Sequence, residues 1–128
     1  MVKSYPFRRT DADDLIVVGA YVNKVAFPLV VDTGASHTVI DFGVLIDAGY
    51  RLGDTKGIVP IETANGIISA NLFHVKKISV LGIEKRDFEV CSYLLGQPED
   101  EIKGVLGLDF FEGKKICLDF KQSVITIT

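Results

Sequence analysis

Short β-branched, apolar runs, each cut off by turn-forming residues, recur along almost the whole of this chain. Stiff side chains of this kind suit a pleated, half-buried surface better than a helix. Leu15–Val22 is one such run, and Asn23-Lys24 offers a tight turn into a second, Val25–Val31. Pro28 lies inside the second run. It lacks a ladder donor, which predicts an edge position or a local break in pairing. Thr38–Ile40 is a short third strand. Ile58–Ala64 and Ile67–Phe73 flank Asn65-Gly66. Asn-Gly accepts the positive φ angles of a type I′ turn, so this segment is predicted as a hairpin. Val75–Leu81 continues extended to Gly82, and Phe88–Leu95 is a further strand. Gly96–Glu101 is a polar loop. Ile116–Phe120 and Val124–Ile127 form a last pair around Lys121-Gln122-Ser123. Helix is confined to Val44–Ala48, stopped by Gly49, and to one turn at Asp109–Phe111 closed by Gly113. The pattern predicts an all-β fold, a small closed or partly closed β-barrel.

A chain of 128 residues, 48% of them apolar, makes one domain with a core of its own. Residues 1–12 are polar and read as an N-terminal arm, leaving 13–128 as the domain. The net charge is −3 with mixed signs, so no basic stripe argues for nucleic acid. Lys76-Lys77 and Lys114-Lys115 read as solvated positions. The N-terminal residues lack a secretory pattern, and no apolar run approaches the roughly 20 residues of a membrane span. A cytoplasmic protein without a membrane partner is the expectation. Two cysteines, Cys91 and Cys117, are too few for a disulfide scaffold. Both sit in apolar runs and are expected as buried free thiols, unsuited to nucleophilic work. There is no closely spaced His/Cys/Asp cluster and no Gly-x-Ser-x-Gly. Neither a metal, nor another cofactor, nor a serine nucleophile is expected. His74 reads as a strand-surface residue.

The segment that bears chemistry is Leu29-Val30-Val31-Asp32-Thr33-Gly34-Ala35-Ser36. An apolar strand runs directly into Asp-Thr-Gly and delivers a carboxylate to its end. Gly34, lacking a Cβ, lets a backbone amide come close to that carboxylate. The plainer reading is a strand-to-loop turn in which Asp caps the backbone.

Three motifs in order resemble the retropepsin-like aspartic proteases, a family of retroviral proteases and cellular relatives. Val31–Ser36 is similar to the family's active-site motif. The Asn65-Gly66 hairpin falls about 30 residues later, where the family carries its flap. Gly104-Val105-Leu106-Gly107-Leu108-Asp109-Phe110 resembles its apolar-apolar-Gly element and short helix. The resemblance covers residues 13–128 and implies a retropepsin-type barrel with a flap hairpin and one short helix. Aspartic proteases need two carboxylates that share a proton. One Asp-Thr-Gly in a chain this short implies a homodimer with the site on its two-fold axis.

By that resemblance, Asp32 is the catalytic acid/base. Thr33 braces the pair and Gly34 offers a close backbone. Ala35 and Ser36 touch peptide or protein substrate from the cleft floor. Thr63, Ala64, Asn65, Gly66 and Ile67 form the flap above it, and Val105, Leu106 and Gly107 pack beneath the catalytic loop. This chain departs from the viral pattern in several places. Ser36 and His37 stand where viral enzymes carry acidic residues; His37 either contacts substrate or, the preferred reading, is a surface-loop histidine. The flap tip is poorer in glycine. Asp109 stands where a buried Arg is placed, so its pairing must differ. The alternative is a non-catalytic peptide-binding or dimerisation module on the same fold.

Overall fold

The computed structural model describes residues 2–11, 14–63, 66–93 and 101–128. Its strands and helix, in chain order, are β1 (Lys3–Pro6), β2 (Arg8–Arg9), β3 (Ile16–Val22), β4 (Val25–Val31), β5 (Val39–Asp41), α1 (Phe42–Asp47), β6 (Gly57–Thr63), β7 (Gly66–Val80), β8 (Ile83–Tyr93), β9 (Gly104–Leu106), β10 (Ile116–Asp119) and β11 (Val124–Ile127). Short 3-10 turns occupy Leu52–Asp54 and Leu108–Phe111. The protein is therefore mostly β, as its turn-punctuated runs predict.

An eight-stranded sheet runs β2-β3-β4-β9-β5-β8-β7-β6, and β3 also pairs with β7, so the order returns on itself. A three-stranded sheet, β1-β11-β10, stands beside it. The core between them is made of fully buried Leu29, Ile40, Leu45, Phe73, Ile78, Leu106, Phe110 and Ile125. Burying such side chains is the main force holding the sheets together.

Local chemistry explains several boundaries. The helix begins at Phe42 rather than Val44, because the Asp41 carboxylate accepts the Gly43 N–H at 3.1 Å and caps it. Pro28 is not at a sheet edge, since β4 has neighbours on both sides. It marks the local break instead. Its N lies on the β9 side, where its carbonyl accepts from Lys103 and regular pairing starts only at Val30↔Val105. Asn23, at φ 54°, turns β3 into β4 and donates its amide to the Ala48 carbonyl at 3.0 Å, tying that turn to the end of α1.

Three expectations need correction. Residues 3–9, expected within a polar arm, form two strands: Lys3–Pro6 pairs with β11, and Arg8-Arg9 with β3. Phe7 between them is buried and hides the anchoring signal in an otherwise polar stretch. Strand β8 begins at Ile83, not Phe88, and β7 is one continuous strand of 15 residues. The turn between them is Leu81-Gly82, at φ 53° and 71°, a pair of positive angles that Asn-Gly would normally supply. Burial of Leu81 offsets the strain of a left-handed leucine. Cys117 is exposed on β10, whereas Cys91 is buried as expected. His74 lies on β7 with Nε2 3.4 Å from Glu89 and Nδ1 3.9 Å from Asp87, a strand-surface position. The polar loop 96–101 lies outside the described residues except for Glu101, which pairs with Arg8.

Gly82 offers a direct test of how the two sheets meet. A Cβ there would lie 1.8 Å from the Tyr5 hydroxyl oxygen on β1. Gly82→Ala is expected to cost about 2–3 kcal/mol in urea unfolding. In a Tyr5→Ala background the same change should cost only the left-handed strain of about 1 kcal/mol.

Candidate active site

The site is built at the end of β4. That strand is hydrogen-bonded to β3 on one side and runs parallel to β9 on the other, with Val30↔Val105 and Val31↔Leu106 in register. The ladder carries one step further. The Asp32 N–H donates to the Leu106 carbonyl at 3.0 Å. The chain then turns sharply, the Ala35 N–H donating to the Asp32 carbonyl at 3.1 Å. Within this turn the Asp32 Oδ1 accepts the Gly34 N–H at 2.9 Å. A Cβ on Gly34 would sit 3.2 Å from that oxygen, so the glycine keeps the approach free.

The turn rests on the Gly104–Leu108 segment. A Cβ on Gly107 would fall 2.6 Å from the His37 carbonyl carbon and 2.9 Å from the Ala35 oxygen. Glycine alone permits this contact of two backbones. The Leu108 N–H donates to the Ala35 carbonyl at 2.8 Å. Beyond the turn, Thr38 is fully buried. Its N–H and Oγ1–H donate to the two oxygens of Asp109 at 3.0 and 2.8 Å. Its Oγ1 accepts the Gly107 N–H at 3.1 Å. Asp109 thus joins the short 3-10 turn to the loop after Asp32, through a hydroxyl and an amide rather than through an ion pair.

Asp32, Gly34, Ala35 and Ser36 line one cavity of about 650 Å³, together with His37, Val39, Pro60, Ile61, Glu62, Tyr93 and Val105. Asp32 is half-buried at its floor, and Thr33 is exposed outside the lining. His37 is exposed and also faces the cavity, with Nδ1 3.0 Å from Ser36 Oγ. Burial raises the Tyr93 phenol above its ordinary pKa, so it stays neutral at the cavity wall.

The strands β6 and β7 form a hairpin beside the cavity, with Glu62↔Ile67 and Thr63↔Gly66 in register. Gly66, expected in the turn, is therefore already paired in the ladder. Gly66 keeps a positive φ of 116°, but as the first residue of β7. This register sets small, buried Ala70 opposite Val59 in the apolar cluster under the hairpin. Ala64 and Asn65, both expected as flap contacts, lie outside the described residues. Ile67 is exposed and does not line the cavity.

Sequence reasoning missed Val39, Pro60, Ile61, Glu62 and Tyr93 as lining residues. Alternation along β6 could have suggested some of them. Tyr93 could not have been found, because it arrives through a parallel pairing with Asp41, distant in sequence. No group of three His, Cys, Asp or Glu side chains among the described residues is arranged to hold a metal. No helix among them is long and apolar enough to cross a membrane.

A family model described as "gag-polyprotein putative aspartyl protease" matches residues 18–113. The chain belongs to this aspartyl protease family. Among solved structures it is similar to a retropepsin-like aspartic protease from Rickettsia conorii, at 23% identity and a TM-score of 0.74. That alignment covers 99% of this chain and 91% of the other. The fold is retropepsin-like. No curated protein matches the chain.

Two outcomes follow from the site's supports. Thr38→Val removes the hydroxyl that serves both Asp109 and the Gly107 amide. It should cost about 2–3 kcal/mol in urea unfolding, and Thr38→Ser should recover most of that. Desolvation, with Glu89 and Asp109 nearby, raises the Cys91 thiol to about 11. A thiol reagent at pH 8 should therefore modify Cys117 within minutes and Cys91 only on unfolding. The raised thiol also contributes stability that is present below pH 9, the ordinary cysteine value, and is lost as pH rises toward about 11.

Proposed function

We propose that the protein is an aspartic endopeptidase that works as a homodimer, each copy supplying one Asp32. The observation that carries this reading is the position of Asp32. It is fixed at the floor of a cavity of about 650 Å³, by the Leu106 carbonyl behind and the Gly34 amide in front. A single carboxylate can accept a proton or donate one, but peptide hydrolysis needs both at once. Two Asp32 carboxylates about 3 Å apart could not both ionise and would share one proton. The ionised partner takes a proton from water as the water oxygen attacks the peptide carbonyl carbon. The protonated partner gives its proton to the carbonyl oxygen. Collapse of the tetrahedral intermediate then breaks the C–N bond as one Asp32 carboxyl protonates the leaving nitrogen and the other takes up a hydroxyl proton, which restores the shared proton.

Other residues fit the same reading. Thr33 is exposed in the single chain, where its hydroxyl is free to brace a second copy across the axis. Ala35 and Ser36 line the cavity and can meet the substrate main chain. On this reading the β6–β7 hairpin, with Thr63 and Gly66 paired at its described end, serves as the flap over an extended peptide. β3 also pairs with β7, and on this reading the sheet closes into a small barrel around the strand that ends at Asp32.

The test is Asp32→Asn. Asn keeps the shape but cannot exchange the proton, so turnover should fall by roughly 10²–10⁴-fold with fold and dimer retained. For the wild type, initial rate per subunit should drop when the protein is diluted until it sediments as monomer. Its pH profile should be a bell centred on the acidic side of neutrality, because the first charge on the pair opposes the second. Constant specific activity in monomeric samples would overturn the shared site. Peptide binding without any cleavage would show a non-catalytic module.

A further inference from the structure

Glu62 carries a charge that neither the fold nor the proposed chemistry uses. It lies near the end of β6, is exposed, and lines the same cavity as Asp32. It makes no ion pair among the described residues. The preceding residue, Ile61, packs on the buried Val39, Ala70 and Cys91 cluster. Strand alternation therefore turns Glu62 to the other face of β6, at the rim of the cavity. The rest of the lining offers it no fixed positive charge: Val39, Pro60, Ile61 and Val105 are apolar, the phenol of Tyr93 is neutral, and His37 has its Nδ1 3.0 Å from Ser36 Oγ. No Lys or Arg lines the cavity among the described residues. A bound peptide would have to bring the counter-charge itself.

We infer that Glu62 selects extended peptides with a lysine or arginine side chain flanking the bond to be cleaved. This rests on the peptidase reading and adds the substrate class to it. A basic side chain can lay its methylene stem on Pro60, which shares that face of β6, and its charged head against the Glu62 carboxylate. An acidic peptide side chain would meet like charge from both Glu62 and Asp32. The carboxylate is exposed, so the discrimination is modest, about 2- to 5-fold. Salt should weaken it, since the screening length shrinks from about 10 Å at 0.1 M to about 3 Å at 1 M.

The experiment compares matched decapeptides, apolar at the two central positions, with lysine, glutamine or glutamate scanned through each flanking position. Two readouts are taken: relative kcat/KM with the wild type, and relative affinity for the Asp32→Asn protein, which needs no turnover. The expected result is a lysine preference of about 2- to 5-fold at one or two positions. Glu62→Gln should abolish it, and Glu62→Lys should reverse it toward glutamate peptides. A Glu62-dependent preference in binding, with no cleavage by the wild type, would sustain this inference while defeating the peptidase reading. Lysine-to-glutamine ratios that are the same with and without the Glu62 carboxylate, absence of peptide binding included, would overturn the inference even if cleavage is robust.

Discussion

The parallel pairing of β4 with β9 is the interaction on which the rest of this molecule depends. Parallel strands cannot be joined by a tight turn, so residues from opposite halves of the chain must meet before the ladder exists. Once it does, the Leu106 carbonyl holds the Asp32 amide, and the carboxylate is set at a strand end. Everything after Asp32 is then placed from the same strand. Gly107 admits the loop backbone, Leu108 binds Ala35, and Thr38 links to Asp109. The Asp-Thr-Gly turn is short because its scaffold is not local.

That arrangement joins stability to function. Thr38 is buried with every polar atom of its side chain engaged, and no polar side-chain atom buried among the described residues lacks a partner. Satisfied polar groups in a core fix one geometry, because any alternative strands a donor or an acceptor. Around the proposed site this limits the freedom of Asp32 to what the turn permits. The hairpin of β6 and β7 differs. Its outer strand β6 ends the eight-stranded sheet, and Ile58 on β6 and Ile67 on β7 are exposed, while Val59 and Ile61 pack on the buried Val39, Ala70 and Cys91.

Much of this was legible in local patterns. The strand from Val25 to Val31, the Asp-Thr-Gly turn, and the Gly-Val-Leu-Gly-Leu segment each announce themselves through short-range chemistry. Local rules failed where tertiary context offset a local cost. Leu81-Gly82 makes a type I′ turn without Asn, because the core takes the leucine. Lys3–Pro6 reads as a polar arm but pairs with β11 through its backbone, which composition does not report. Cys117 sits in an apolar run yet faces outward, since alternation on an edge strand exposes one side.

By itself, the sequence determined the mostly β character, the place of the single Asp-Thr-Gly and the family to which its motifs belong. Those properties are written in residues adjacent along the chain, where period-2 alternation and turn preferences act. Only the tertiary structure decided that Glu62, Tyr93 and Val39 share a cavity with Asp32, and that Asp109 serves Thr38 rather than a cation. Those outcomes depend on which distant strands become neighbours and in what register. Register is settled by packing across the whole core, and no local stretch of sequence contains it.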